Sequence, residues 1–174
     1  MKTTASFDFE AYRAQELMFP EITYEEFEQI EDLEMRKRIV QKNKIMQTDT
    51  YNRTMTFLRG EKGKKEEVYT LTFRKAPNEN PYNIVYGVRS IVKGILGLPV
   101  SQAELDFATA FYAVQKNKGG NSYFDREMWQ EVIDNNNGFL PLSIRAVDDG
   151  TVLKPGEPVM SIKGPGELAA VYEP

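Results

Sequence analysis

Apolar positions along the chain recur at a helical period in some stretches and alternate in others, and the changes of period mark out the elements. Phe27, Ile30 and Leu33 form a narrow stripe on a segment that is otherwise charged. Thr23 stands three residues before Glu26, a capping-box spacing, so one helix is predicted from about Tyr24 to Val40. Its acidic start (Glu25, Glu26, Glu28) and basic end (Arg36, Lys37, Arg38) suit the helix dipole. In residues 48–59 Thr48 or Asp49 can cap a second helix, with Tyr51, Met55 and Leu58 on one face. Residues 60–65 (GEKGKK) read as a polar turn. Residues 67–73 then alternate, with Val68, Thr70 and Thr72 opposite Tyr69, Leu71 and Phe73, which predicts a strand. A loop over 76–81, a short strand over Asn83–Tyr86 and an apolar helix over Arg89–Leu96, ended by Gly97 and Pro99, complete the first half.

Ser101 with Glu104 forms a second capping box and opens a helix carrying Leu105, Ala108, Phe111, Tyr112 and Gln115 at helical spacing, with Gly119-Gly120 as its stop. Asp125 caps a further helix to about Asp134 that buries Met128, Trp129, Val132 and Ile133, and Asn135 to Gly138 make a turn. From Phe139 onward the pattern shortens to strands: LSIRAV, TVLKP and PVMSIKG. Helix, strand, helices and a small β end make an α+β pattern.

Composition narrows the chemistry. With 22 basic and 26 acidic residues the net charge is -4, which argues against a broad nucleic-acid footprint. No apolar run approaches the roughly 18 residues of a membrane span, and the first residues lack the apolar core of a signal peptide. A cytoplasmic location is expected. The chain has no Cys, hence no disulfide or thiolate nucleophile, and no His, the usual general base near neutral pH. Any part it plays in catalysis rests on positioning, electrostatics, carboxylates or lysines.

At the β end, two short strands joined by Lys-Pro-Gly-Glu-Pro resemble the layout of biotinyl and lipoyl carrier domains. The tip lacks the Met-Lys-Met or Asp-Lys those carriers use, so Lys154 reads as a solvated turn residue. A closer resemblance begins upstream. Thr48-Asp49-Thr50-Tyr51-Asn52-Arg53-Thr54-Met55 resembles the Thr-Asp-x-Tyr-x-x-Thr-Met signature of nicotinate phosphoribosyltransferases, and Phe73-Arg74-Lys75-Ala76-Pro77 is similar to that family's strand-ending Phe-Arg-Lys-x-Pro. Tyr82–Leu98 and Phe139–Pro165 resemble the family's next strand and helix and its later strand pair. The ordered matches span residues 45–167.

The resemblance implies the front domain of a type II phosphoribosyltransferase. Such an enzyme joins nicotinate to the ribose of phosphoribosyl pyrophosphate, forming nicotinate mononucleotide and pyrophosphate. It implies magnesium and ATP for the complete enzyme, neither bound by this chain, and the related nicotinamide enzyme shares the layout. By the same resemblance Tyr51 stacks on the pyridine in the active site of a neighbouring subunit, and Arg74 reaches the phosphates there. Lys75 ranks below them, because strand alternation sends it to the other face. Homodimerisation is implied, with no catalytic or metal-binding residue in this chain. On the residues alone, Tyr51, Met55 and Leu58 also read as a core stripe, Arg74 as a charged strand end and Asp49 as a helix cap. The expected organisation is an N-terminal helical arm over 1–43, the family's N-terminal domain over 44–167, and over 168–174 the start of a linker helix to a barrel that lies beyond the chain. A non-catalytic binding module is the alternative from another class.

Overall fold

The computed structural model describes residues 18–76, 81–114 and 123–172. The acidic-to-basic segment near the start folds as two helices, where the sequence pattern predicts one: α1 (Tyr24–Glu28) and α2 (Leu33–Lys42). The Thr23–Glu26 capping box forms as expected. The break has a local cause. Asp32 turns its carboxylate onto the amides of Glu34 and Met35 and restarts the helix, while Arg36 donates from its guanidinium to the carbonyls of Ile30 and Glu28. The carbonyls an uninterrupted helix would have used internally are thereby satisfied from the side.

A single 3-10 turn (Lys44–Met46) leads to α3 (Thr50–Arg59), and a second one (Gly60–Lys62) leads to β1 (Glu66–Thr72). Asp49 takes the N-cap position of α3, as read from the sequence, but its side chain makes no cap hydrogen bond. After β2 (Asn83–Ile84) come α4 (Val88–Ile95), α5 (Gln102–Ala113) and α6 (Arg126–Asn136). Ser101 and Glu104 cap α5 reciprocally, and Asp125 accepts from the amide of Met128 at the start of α6. At the far end of α6 the chain reverses through Asn137 and Gly138, both at positive φ. Gly138 is irreplaceable on two counts: its φ is 79°, and a Cβ there would stand 2.3 Å from the Val100 carbonyl. Its own carbonyl accepts from the Val100 amide at 2.8 Å, which ties this turn to the approach to α5. Gln115 and the Gly119-Gly120 stop, residues 77–80 of the predicted loop, and residues 1–17 of the arm lie outside the described residues.

The β end supplies β3 (Ser143–Ala146), β4 (Val152–Leu153) and β5 (Pro158–Pro165), followed by α7 (Gly166–Val171). β5 is the middle strand of an antiparallel sheet ordered β1-β5-β3, with Tyr69 and Ile144 both opposite Ile162. β4 pairs with β2 instead, Val152 opposite Ile84. The two strands on either side of Lys154 therefore belong to different sheets, which removes the carrier-domain layout. The helices, short strands and this sheet make the α+β fold that the pattern predicts.

The core has two adjoining parts. Leu105, Ala108 and Tyr112 of α5 pack with Met128, Trp129 and Val132 of α6, Leu168 and Val171 of α7, and Ile45. Beside them Phe107 takes the edges of Phe19 and Phe27, with ring centroids 5.2 and 5.1 Å away, and draws α1 and α2 onto α5. α7 packs against β1, β5 and α3. No described helix is long and apolar enough to cross a membrane.

Candidate functional site

α3 is the element whose sides are reversed. Its apolar stripe faces out, with Tyr51 51%, Met55 41% and Leu58 75% exposed, while Asn52 at 2% and Thr56 at 9% are buried. The stripe is therefore a surface, not the core face that helical spacing alone also allowed. The buried polar pair survives because its groups find partners: Thr56 Oγ1 donates to the Asn52 carbonyl at 2.9 Å, and the Asn52 amide points to Thr48 Oγ1 at 3.5 Å.

Two arginines hold this helix. Arg53 lays its guanidinium over the Tyr112 ring of α5, 3.7 Å from the centroid. Burial lowers the Arg53 pKa, and the neighbouring Tyr112 opposes the shift. The Tyr112 hydroxyl is pushed up, by burial first, with Arg53 pulling the other way. Arg59, in the last turn, reaches Glu67 and Tyr69 of β1. Tyr69 and then Arg59 hold the Glu67 carboxyl below the usual carboxylate range, and Glu67 in turn raises Arg59.

β1 ends at Thr72, so Arg74 and Lys75 stand beyond the strand in a bend, both exposed. Strand alternation no longer separates them, and the reason for ranking Lys75 below Arg74 falls away. The base of this bend is fixed: the Phe73 carbonyl accepts from the Gly156 amide at 2.9 Å, so the turn before β5 braces the end of β1. Pro77 of the second motif lies outside the described residues. The three expected site residues thus sit on two exposed elements, Tyr51 in the first turn of α3 and Arg74 with Lys75 just past β1. Among the described residues, one side-chain link between those elements is the Arg59–Glu67–Tyr69 contact.

A cleft of about 570 Å³ lies on the inner side of α3, lined by Arg53, Thr56, Phe57 and Lys64 together with Tyr123 and Arg126 from the entry to α6. Phe57 closes one wall through an edge contact with Tyr123, centroids 5.1 Å apart. Among the described residues no three His, Cys, Asp or Glu side chains are grouped to hold a metal ion. The sequence reading missed Arg53 and Arg59. The signal for Arg59 was present, since alternation from Tyr69 puts Glu67 on the same face of β1. For Arg53 there was none, because Tyr112 lies far along the chain on another helix.

A protein-family model described as nicotinamide phosphoribosyltransferase, N-terminal domain, matches residues 43–144. The chain is 32% identical over 78 residues to a nicotinamide phosphoribosyltransferase of Xanthomonas campestris pv. campestris (strain 8004), a match covering 45% of this chain and 16% of that protein. In fold it is similar to human nicotinic acid phosphoribosyltransferase, with a TM-score of 0.52 at 20% sequence identity, over 72% of this chain and 24% of that one. The matched regions thus span under a quarter of the length of either relative.

Proposed function

We propose, from the premise that this chain belongs to the nicotinamide phosphoribosyltransferase N-terminal domain family of type II phosphoribosyltransferases, that it lends one aromatic ring and one guanidinium to an active site completed by the barrel of a neighbouring subunit. The reaction is the joining of a pyridine, nicotinate or its amide, to phosphoribosyl pyrophosphate. A bond forms between the pyridine nitrogen and C1 of the ribose as the bond from C1 to pyrophosphate breaks. Such a displacement calls for an aligned ring and for cations on the departing phosphates, and it needs no nucleophilic side chain. Tyr51 supplies the stacking face. Arg74 supplies a planar fork that can meet two phosphate oxygens, with Lys75 beside it as a second charge. Magnesium and ATP belong in this proposal to the part of the enzyme beyond the chain, as does the discrimination between acid and amide.

The observation that carries the reading is the reversed α3. A helix that buries Asn52 and Thr56 and exposes Tyr51, Met55 and Leu58 is shaped to be covered by another polypeptide. The test is mononucleotide formation from nicotinate or nicotinamide with phosphoribosyl pyrophosphate, magnesium and ATP, by this chain alone and together with the barrel polypeptide. Turnover only in the assembled form supports the reading, and the preferred base settles acid against amide. In that assembly Tyr51→Ala raises KM for the pyridine several-fold, in keeping with the roughly 0.5–1.5 kcal/mol of a stacked pair. Arg74→Ala raises KM for phosphoribosyl pyrophosphate by about tenfold or more, the scale of a charged hydrogen bond. Small and equal effects from both substitutions would sink the assignment, and binding without turnover in every combination would favour a non-catalytic module.

A further inference from the structure

Three elements meet at one small cluster. Arg59 at the end of α3 donates through one guanidinium nitrogen both to the Glu67 carboxylate and to the Tyr69 hydroxyl, the latter at 2.6 Å. Tyr69 donates to the same oxygen, Glu67 Oε2, at 2.8 Å. The third element is α7. A Cβ on its first residue, Gly166, would stand 2.6 Å from Glu67 Oε2 and 2.7 Å from Cδ, so the carboxylate rests against bare backbone. The amides of Gly166 and Glu167 donate to the carbonyls of Lys65 and Gly63 at 2.9 and 2.8 Å, which fixes the start of α7 to the turn between α3 and β1.

An ordinary surface helix is held by its apolar face, through contacts that tolerate sliding and rotation. α3 has turned that face outward, and besides its packing on α7 it is tied to the body by directional side-chain contacts, the Arg53–Tyr112 stack and the Arg59 cluster. A carboxylate one-third exposed adds little to stability, because water screens it. What a carboxylate held by two donors and seated against the Gly166 backbone does fix is angle.

We propose that Glu67, clasped by Arg59 and Tyr69, is a positioning residue that sets α3, and with it Tyr51, against the end of β1 that carries Arg74. The inference rests on the Tyr51–Arg74 reading above, and it adds residues that touch no substrate. Its signature differs from that of either contact residue. Losing Tyr51 affects the pyridine and losing Arg74 affects the phosphates, whereas releasing the angle between their elements affects both at once.

The experiment measures KM and kcat of the assembled enzyme, together with thermal unfolding, for Glu67→Gln, Arg59→Met, Arg59→Lys and Gly166→Ala, beside Tyr51→Ala and Arg74→Ala. Gly166→Ala keeps every charge and displaces the Glu67 carboxylate by bulk alone. The expected result is a joint rise in KM for the pyridine and for phosphoribosyl pyrophosphate, on the order of tenfold, in Glu67→Gln, Arg59→Met and Gly166→Ala. Arg59→Lys should fall between wild type and Arg59→Met, and melting temperatures should stay close to wild type. Unchanged KM values in the cluster variants, beside impaired Tyr51→Ala and Arg74→Ala, would overturn the positioning role alone. So would a loss confined to the amount of folded enzyme. Wild-type kinetics in every variant, Tyr51→Ala and Arg74→Ala included, would remove both this inference and the reading beneath it.

Discussion

Glu104 shows how much one side chain can be asked to do. One carboxylate oxygen accepts from the Ser101 amide at 2.8 Å and closes the cap of α5. The other accepts from the Lys44 amide at 2.9 Å and from its ammonium at 2.7 Å. Both side chains are buried, and Asn43 beside them donates to the Glu104 carbonyl at 2.9 Å. Half of this was legible in the sequence, because a capping box is a spacing of three residues. The other half was not, because Lys44 reaches Glu104 only after the chain has folded back across α5. Removing the ammonium leaves a buried carboxylate held by two backbone amides alone. Lys44→Met is therefore expected to destabilise the chain by about 3 kcal/mol, within the range for breaking a buried pair. Urea unfolding of the two proteins measures it, and a loss under about 1 kcal/mol would show that the amides suffice. Tyr172, whose hydroxyl donates to the Lys44 carbonyl at 3.0 Å, covers the same spot, and burial pushes its pKa well up.

At the scale of elements, the caps at Thr23, Ser101 and Asp125 were readable because the bonds that make them are local. The division between α1 and α2 was not, because Arg36 decides it by reaching back six and eight residues to two carbonyls. The outward face of α3 escaped the sequence for a related reason. Periodicity reports that Tyr51, Met55 and Leu58 share a side, and it is silent on which side meets the body. A consequence for α2 follows from its cap. Asp32→Ala should cost about 1 kcal/mol, the usual worth of an N-cap. It should also speed amide exchange at Glu34 and Met35, whose hydrogens that carboxylate now holds. Unchanged exchange at both positions would mean that the Arg36 bonds alone maintain the break.

For the whole molecule, the faces left open matter as much as the core. Met55 and Leu58 contribute to the exposed side of α3 and take no part in either core cluster. Replacing both by charged residues, as Met55→Lys with Leu58→Glu, should leave stability within roughly 0.5 kcal/mol, as for other surface changes. It should weaken assembly of the complete enzyme, seen as a shift of the sedimenting species toward single subunits. An unaltered assembly would mean that this side of α3 stays in water. The sheet carries a further implication, one of timing. β5 lies between β1 and β3, and Glu66 is opposite Pro165. On the ribosome, β1 is finished long before its neighbour has been translated, and β3 must wait for the same late segment. Until about residue 165 has cleared the exit tunnel, two strands stand with unsatisfied edges. The nascent chain stays open to mispairing until that late strand has been made.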